Sequence, residues 1–135
     1  MGLFKAKVKP HKVIKFLNEA DDALMRAYYT KDISVVAEYM TRDLLDYMSE
    51  ELSTHDDLTA KFGLAKYRIR NWTILDEQGD VIVVHKEVSH KDVRIKGMIS
   101  IPVGDRISEE WYVHSDRNSY LIFDIKQSRG DFGYV

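Results

Sequence analysis

Apolar and polar residues keep one rhythm in the first half of this chain and another in the second. Val13, Ile14, Phe16, Leu17, Ala20, Leu24, Ala27 and Tyr28 recur at three- and four-residue steps, with Lys12, Lys15, Glu19, Asp22 and Arg26 between them. That spacing predicts an amphipathic helix from just after Pro10 to about Thr30. Lys31-Asp32-Ile33-Ser34 interrupts it, and Asp32 or Ser34 can cap a short second helix that turns Val35, Val36, Tyr39 and Met40 inward. Thr41 is an N-cap for a third helix, with Asp43 in its first turn and a stripe of Leu44, Leu45, Tyr47, Met48 and Leu52. Ser53 to Asp57 ends or kinks this helix, and Leu58 to Phe62 adds a last helical piece before Gly63.

From Leu64 the period falls to two. Ala65 to Leu75 predicts a strand that begins with Tyr67 and Ile69 on one face and hands over to Trp72 and Ile74 through a bulge near Asn71. Asp76 to Asp80 is a turn, and Val81 to His90 a second strand. Val93 to Gln127 then predicts a meander of three strands. Its first two place Val93, Ile95, Gly97, Ile99, Ile101, Ile107, Glu109, Trp111 and Val113 on one face. Gly104-Asp105 and Asp116 to Ser119 supply the hairpin turns. Helices followed by about five antiparallel strands make an α+β fold, with helices covering one face of the sheet.

Composition narrows the class without naming a reaction. A chain of 135 residues, 44% apolar and 31% charged, is of the size and make-up of one globular domain. The absence of cysteine excludes disulfides and thiol nucleophiles and suits a reducing compartment, so the cytoplasm is expected. No run is long and apolar enough to span a membrane. Charge is unevenly spread: residues 1–15 hold five lysines and no acid, whereas residues 16–60 hold three bases and eleven acids. The organisation expected is a basic arm over residues 1–11, one domain over 12–127 and a tail over 128–135. The arm, Lys5 to Lys15, could touch an anionic membrane, but it is too sparse a footprint for nucleic acid.

The order of elements, the Thr41-Arg-Asp-Leu-Leu helix start, the segment Ser108-Glu-Glu-Trp-Tyr-Val-His and the closing Tyr120-Leu-Ile-Phe-Asp-Ile-Lys together resemble the NTF2-like, cystatin-fold superfamily. The Glu-x-Trp segment and the Leu-Ile-x-Asp-Ile strand are similar to the closing hairpin of its Tim44-like branch. The resemblance implies a cone in which N-terminal helices pack in the concave face of a curved antiparallel sheet. It also implies a pocket between them and a homodimer formed through the sheets. Members of the superfamily catalyse acid-base reactions in that pocket or merely bind there, and fold alone does not choose between these.

Candidates for the pocket are Tyr28, Tyr39 and Tyr47 from the helices with Glu109, Trp111 and His85 from the sheet. Glu109 shares the parity of Ile107 and Trp111, and a carboxylate on an apolar face is a general acid or base in waiting. Tyr28 and His85 are its best conceivable partners, His85 as a proton shuttle. Asp124 is expected to point outward, opposite Leu121 and Phe123. Trp72, Met98, Tyr112 and Ile122 are expected on the outer sheet face, where a dimer would cover them. No histidine pair has metal-site spacing, and no nucleotide or serine-hydrolase motif occurs, so neither metal nor cofactor is expected. Three readings follow. The first is a non-catalytic module binding an apolar small molecule, lipid or protein partner in or near the cone. The others are a small isomerase- or dehydratase-type enzyme and a membrane-peripheral assembly factor.

Overall fold

The computed structural model describes residues 10–54, 68–90, 93–95, 99–101, 107–117 and 119–127. Helix α1 spans Pro10–Thr30, a short 3-10 turn spans Ile33–Val36, and helix α2 spans Arg42–Thr54. Six strands follow: β1 Arg68–Gln78, β2 Val81–His90, β3 Val93–Ile95, β4 Ile99–Ile101, β5 Ile107–Asp116 and β6 Ser119–Gln127. The fold is α+β: the helices pack against a curved, unclosed antiparallel sheet ordered β1-β2-β5-β6.

The breaks between helices have local causes. Lys31 takes a positive φ of 61°, and its amide closes on the Ala27 carbonyl at 2.7 Å, which ends α1. Its ammonium then donates to the Leu52 carbonyl at 2.8 Å, capping the last turn of α2. Asp32 caps the 3-10 turn by accepting from the Ser34 amide at 3.0 Å, and the Thr41 hydroxyl receives the Leu44 amide at 3.4 Å.

Three expectations about the strands are corrected. The first concerns the meander: Val93–Ile95 pairs with Ile99–Ile101 in a separate two-stranded sheet, and β2 is the neighbour of β5. The second concerns β1: Arg70, Trp72 and Ile74 alternate without a break, and the bulge falls at Leu75, between Ile74 and Asp76. Ile69 is therefore outward, and Trp72 faces the helices rather than the outer side. The third concerns β6, whose register shifts opposite Tyr112 and Val113. The extra residue, Phe123, lets Ile122 and Ile125 both reach the core and turns Asp124 outward beside Tyr112. Ile122 is fully buried and so is not on an outer face. The helical piece expected over residues 58–62, the strand start expected over residues 65–67, the Gly104-Asp105 turn, Met98, the tail and the basic arm as far as residue 9 lie outside the described residues.

The core is layered across the sheet. Ile82, Val113 and Ile122 form one inner row, and Ile74, Val84, Trp111 and Ile125 form the next. Val13, Leu17, Ala20, Ala23, Leu24 and Ala27 of α1, with Val36, Met40, Leu44, Met48 and Leu52, are buried in the same cluster. Ala20, Ala23 and Ala27 of α1 and the bulky Trp111 of β5 are all fully buried in this cluster, so side chains fill the layer between helix and sheet. Tyr39 and Thr41 also bind the backbone of Ile122, at 2.8 and 2.9 Å, so the segment before α2 covers the outer edge of β6.

Candidate functional site

One row further along the same inner face, apolar residues give way to charge. Cross-strand pairing sets Trp72, Lys86, Glu109 and Gln127 side by side. Opposite them α1 presents Asp21, which its helical spacing from Leu17 and Leu24 places on the apolar stripe. Asp21 is 0% and Lys86 2% exposed, yet each is ionisable. Such groups persist in a core only when paired and hydrogen-bonded.

These are both. Lys86 Nζ donates to Asp21 Oδ1 at 2.5 Å and lies 3.4 Å from Glu109 Oε1. It also stands over the ring of Trp111 at 4.7 Å and that of Trp72 at 5.7 Å, where a cation meets the negative faces of the rings. The two indoles meet edge to face with centroids 5.1 Å apart. Arg70 Nη1 donates to Asp21 Oδ2 at 2.8 Å and to Asp22 Oδ1 at 2.6 Å, which ties the buried pair to the surface. Partial burial works against the charge of Arg70, but its hydrogen bonds to Asp22 and Asp21 and their negative charge outweigh it and hold its pKa above the ordinary value. Trp72 Nε1 donates to Asn18 at 2.7 Å, and Trp111 Nε1 donates to Glu109 Oε1 at 3.0 Å. Asn18, Asp21 and Asp22 lie at helical spacing, so one flank of α1 meets the charged row.

Among the residues singled out from sequence, Glu109 and Trp111 are brought together here and the others are not. Tyr39 stacks on Phe16 at 5.8 Å, and Phe16 on Tyr120 at 5.4 Å, an aromatic cluster set apart from the charged row. Tyr28 is half-buried against the core. Tyr47 is 56% exposed and donates its hydroxyl to Glu51 at 2.7 Å, so it lines no interior space. His85 is the neighbour of Lys86 on an alternating strand; it pairs with Thr73 and Glu110 and faces the outer side, where it cannot relay a proton to Glu109. Trp72 is a wall of the charged row instead of an outer-face residue, and only Tyr112 of the described interface candidates points outward, with Phe123 against it at 6.0 Å.

Asp21, Lys86, Arg70 and Asn18 escaped the sequence reading. The signal was present in two of them: Lys86 shares the parity of Ile82, Val84 and Val88, and Asp21 interrupts an apolar helix stripe with the opposite charge. An open depression of about 450 Å³ lies elsewhere, where the start of β2 meets the β5–β6 turn, among Asp80, His114, Ser115, Asp116 and Tyr120. Among the described residues no group of three or more His, Asp or Glu is placed to hold a metal, and no helix is long and apolar enough to cross a membrane.

No family model, curated protein or solved structure matches this chain. The chemistry of the charged row therefore rests on its geometry. Asp21, Lys86, Arg70 and Glu109 each have a partner of opposite charge within the fold, and both indole N–H groups donate to an acceptor. The row joins α1 to β1, β2 and β5; it presents no oxygen of Asp21 and no face of Trp111 to solvent.

Proposed function

We propose that this chain is a non-catalytic interaction module of the NTF2-like kind, which works by binding a protein partner through its sheet rather than by converting a substrate between helix and sheet. The observation that supports this reading is that the ions of the charged row are held by one another. Glu109 Oε1, the best acid-base candidate, is held by Trp111 and Lys86, and Lys86 is held in turn by Asp21. A general base must reach the proton it takes, and a pocket must leave room for a ligand; here Trp111 occupies that room. The helix-backed curved sheet agrees with the NTF2-like expectation, and the lack of cysteine suits the cytoplasm as the working compartment. Native mass spectrometry of the purified protein tests the reading. The expected spectrum carries the bare polypeptide mass, alone or in multiples; a stoichiometric retained small molecule would overturn it in favour of a ligand-holding cone.

A further inference from the structure

The two edges of the four-stranded sheet are treated differently. The edge of β6 is covered by Tyr39–Thr41. The far edge of β1 pairs with no other strand among the described residues. β1 is also the longest described strand, eleven residues, and carries neither proline nor lysine; its inward Arg70 is neutralised within the fold by Asp21 and Asp22, and its bulge lies beyond Ile74, so the stretch from Arg70 to Ile74 stays a regular edge. Its outward positions Ile69, Asn71, Thr73 and Leu75 are all exposed, Ile69 at 39% and Leu75 at 52%. An edge of this kind is a template for another strand.

We propose that the strand it takes is β1 of a second copy of this chain, antiparallel and centred on Trp72. This inference rests on the interaction-module reading and names the partner. The sequence of β1 is polarised: Arg68 and Arg70 stand at its start, Asp76 and Glu77 at its end. A parallel copy in register would set arginine on arginine and acid on acid, which repels. An antiparallel copy sets the basic end of each strand along the acidic end of the other. Centring on Trp72 also sets Ile69 opposite the partner's Leu75, twice by symmetry. Asn71 then meets the partner's Thr73, a polar pair. The two exposed apolar side chains of β1 thus cover each other on the outer face, and the regular ladder runs from Arg70 to Ile74, ending at the bulge at Leu75. The four-stranded sheet becomes continuous across the two-fold axis.

Cysteine cross-linking tests the register, because the natural chain has no cysteine. In this arrangement residues 69 and 75 of different copies lie within disulfide reach, roughly 4.4–6.8 Å between Cα atoms. Residues 69 and 75 of one copy lie about 20 Å apart along the strand, and so do the two copies of residue 69. Mild oxidation of the double variant Ile69→Cys/Leu75→Cys should give a covalent dimer on a non-reducing gel, whereas Ile69→Cys and Leu75→Cys alone should stay at monomer mass. Sedimentation equilibrium should show the unmodified protein as a dimer and Ile69→Lys/Leu75→Lys as a monomer with an unchanged circular dichroism spectrum. A monomeric unmodified protein, cross-linking of either single variant equal to the double, or a dimer lost in Tyr112→Lys but kept in Ile69→Lys/Leu75→Lys would overturn the proposal. The first of these leaves the interaction-module reading standing with a different partner. A retained small molecule in the native spectrum would instead remove that reading and leave the edge contact to be judged by the cross-links.

Discussion

The layer between α1 and the sheet has two ends built on opposite principles. At one end Val36, Met40, Leu44, Val113 and Ile122 are buried and apolar, and another apolar side chain of similar volume would be tolerated there. At the other, Asp21, Lys86, Arg70 and Glu109 meet under two indoles, and each group depends on a specific partner. The apolar end draws its stability from area removed from water, which is non-directional. The charged end gains little net stability over an apolar substitute, but it fixes which face of α1 meets which row of β2 and β5. The difference separates what holds this fold together from what sets its register.

Removing one partner should hurt the charged end most. Asp21→Ala leaves Lys86 buried with only the edge of Glu109 as counter-charge, and a loss of about 3–5 kcal/mol is expected in urea denaturation. At the apolar end, Ile122→Leu conserves volume and should lower stability by less than about 1.5 kcal/mol on the same assay. If the two substitutions turn out equal, the distinction between the ends fails. Trp72→Phe keeps the aromatic wall but gives up the bond to Asn18, and about 1 kcal/mol should be lost.

The smallest effect belongs outside both ends and depends on pH. The hydroxyl and then the amide of Ser34 donate to Asp32 and hold its carboxyl below the ordinary value of 3.8. A carboxyl whose folded pKa is lowered contributes stability above its unfolded pKa and loses it as pH falls through the folded value. The small lead of the natural protein over Asp32→Ala in thermal melts should therefore be full at neutral pH and disappear at the acid end of the carboxylate range. A lead that persists there would mean that the cap acts through shape rather than charge.

The helices were legible because capping chemistry and apolar period agree: Asp32, Thr41 and the stripe of Leu44, Met48 and Leu52 stand where their residue types predict. The strands were legible in location but not in pairing. Val93 to Val103 alternates as well as a strand of the main sheet does, yet Val93–Ile95 and Ile99–Ile101 pair with each other, and alternation alone does not say which strand is a neighbour. Trp72 was set on the outer face because apolar Ile69 reads as an inner residue although it lies exposed, and Ile122 because one residue at a bulge reverses every side chain beyond it and Phe123 does not mark itself as one. Glu109 could be placed from its parity with Trp111. Asp21 and Lys86 stayed hidden because each, taken alone, reads as a surface charge. Only their juxtaposition across some 65 residues of chain makes them a pair.

The account turns on that pair being a satisfied pin rather than a reactive site, and a double-mutant cycle on Asp21 and Lys86 tests it most directly. Asp21→Leu and Lys86→Met are each expected to lose several kcal/mol in urea denaturation, with Lys86→Met the milder because Arg70 still meets Asp21. The double variant Asp21→Leu/Lys86→Met should recover most of that loss, since an apolar pair of similar volume replaces a buried ion pair with little net change. A double variant that loses the sum of the two single losses would contradict the account, for the two charges would then be acting independently.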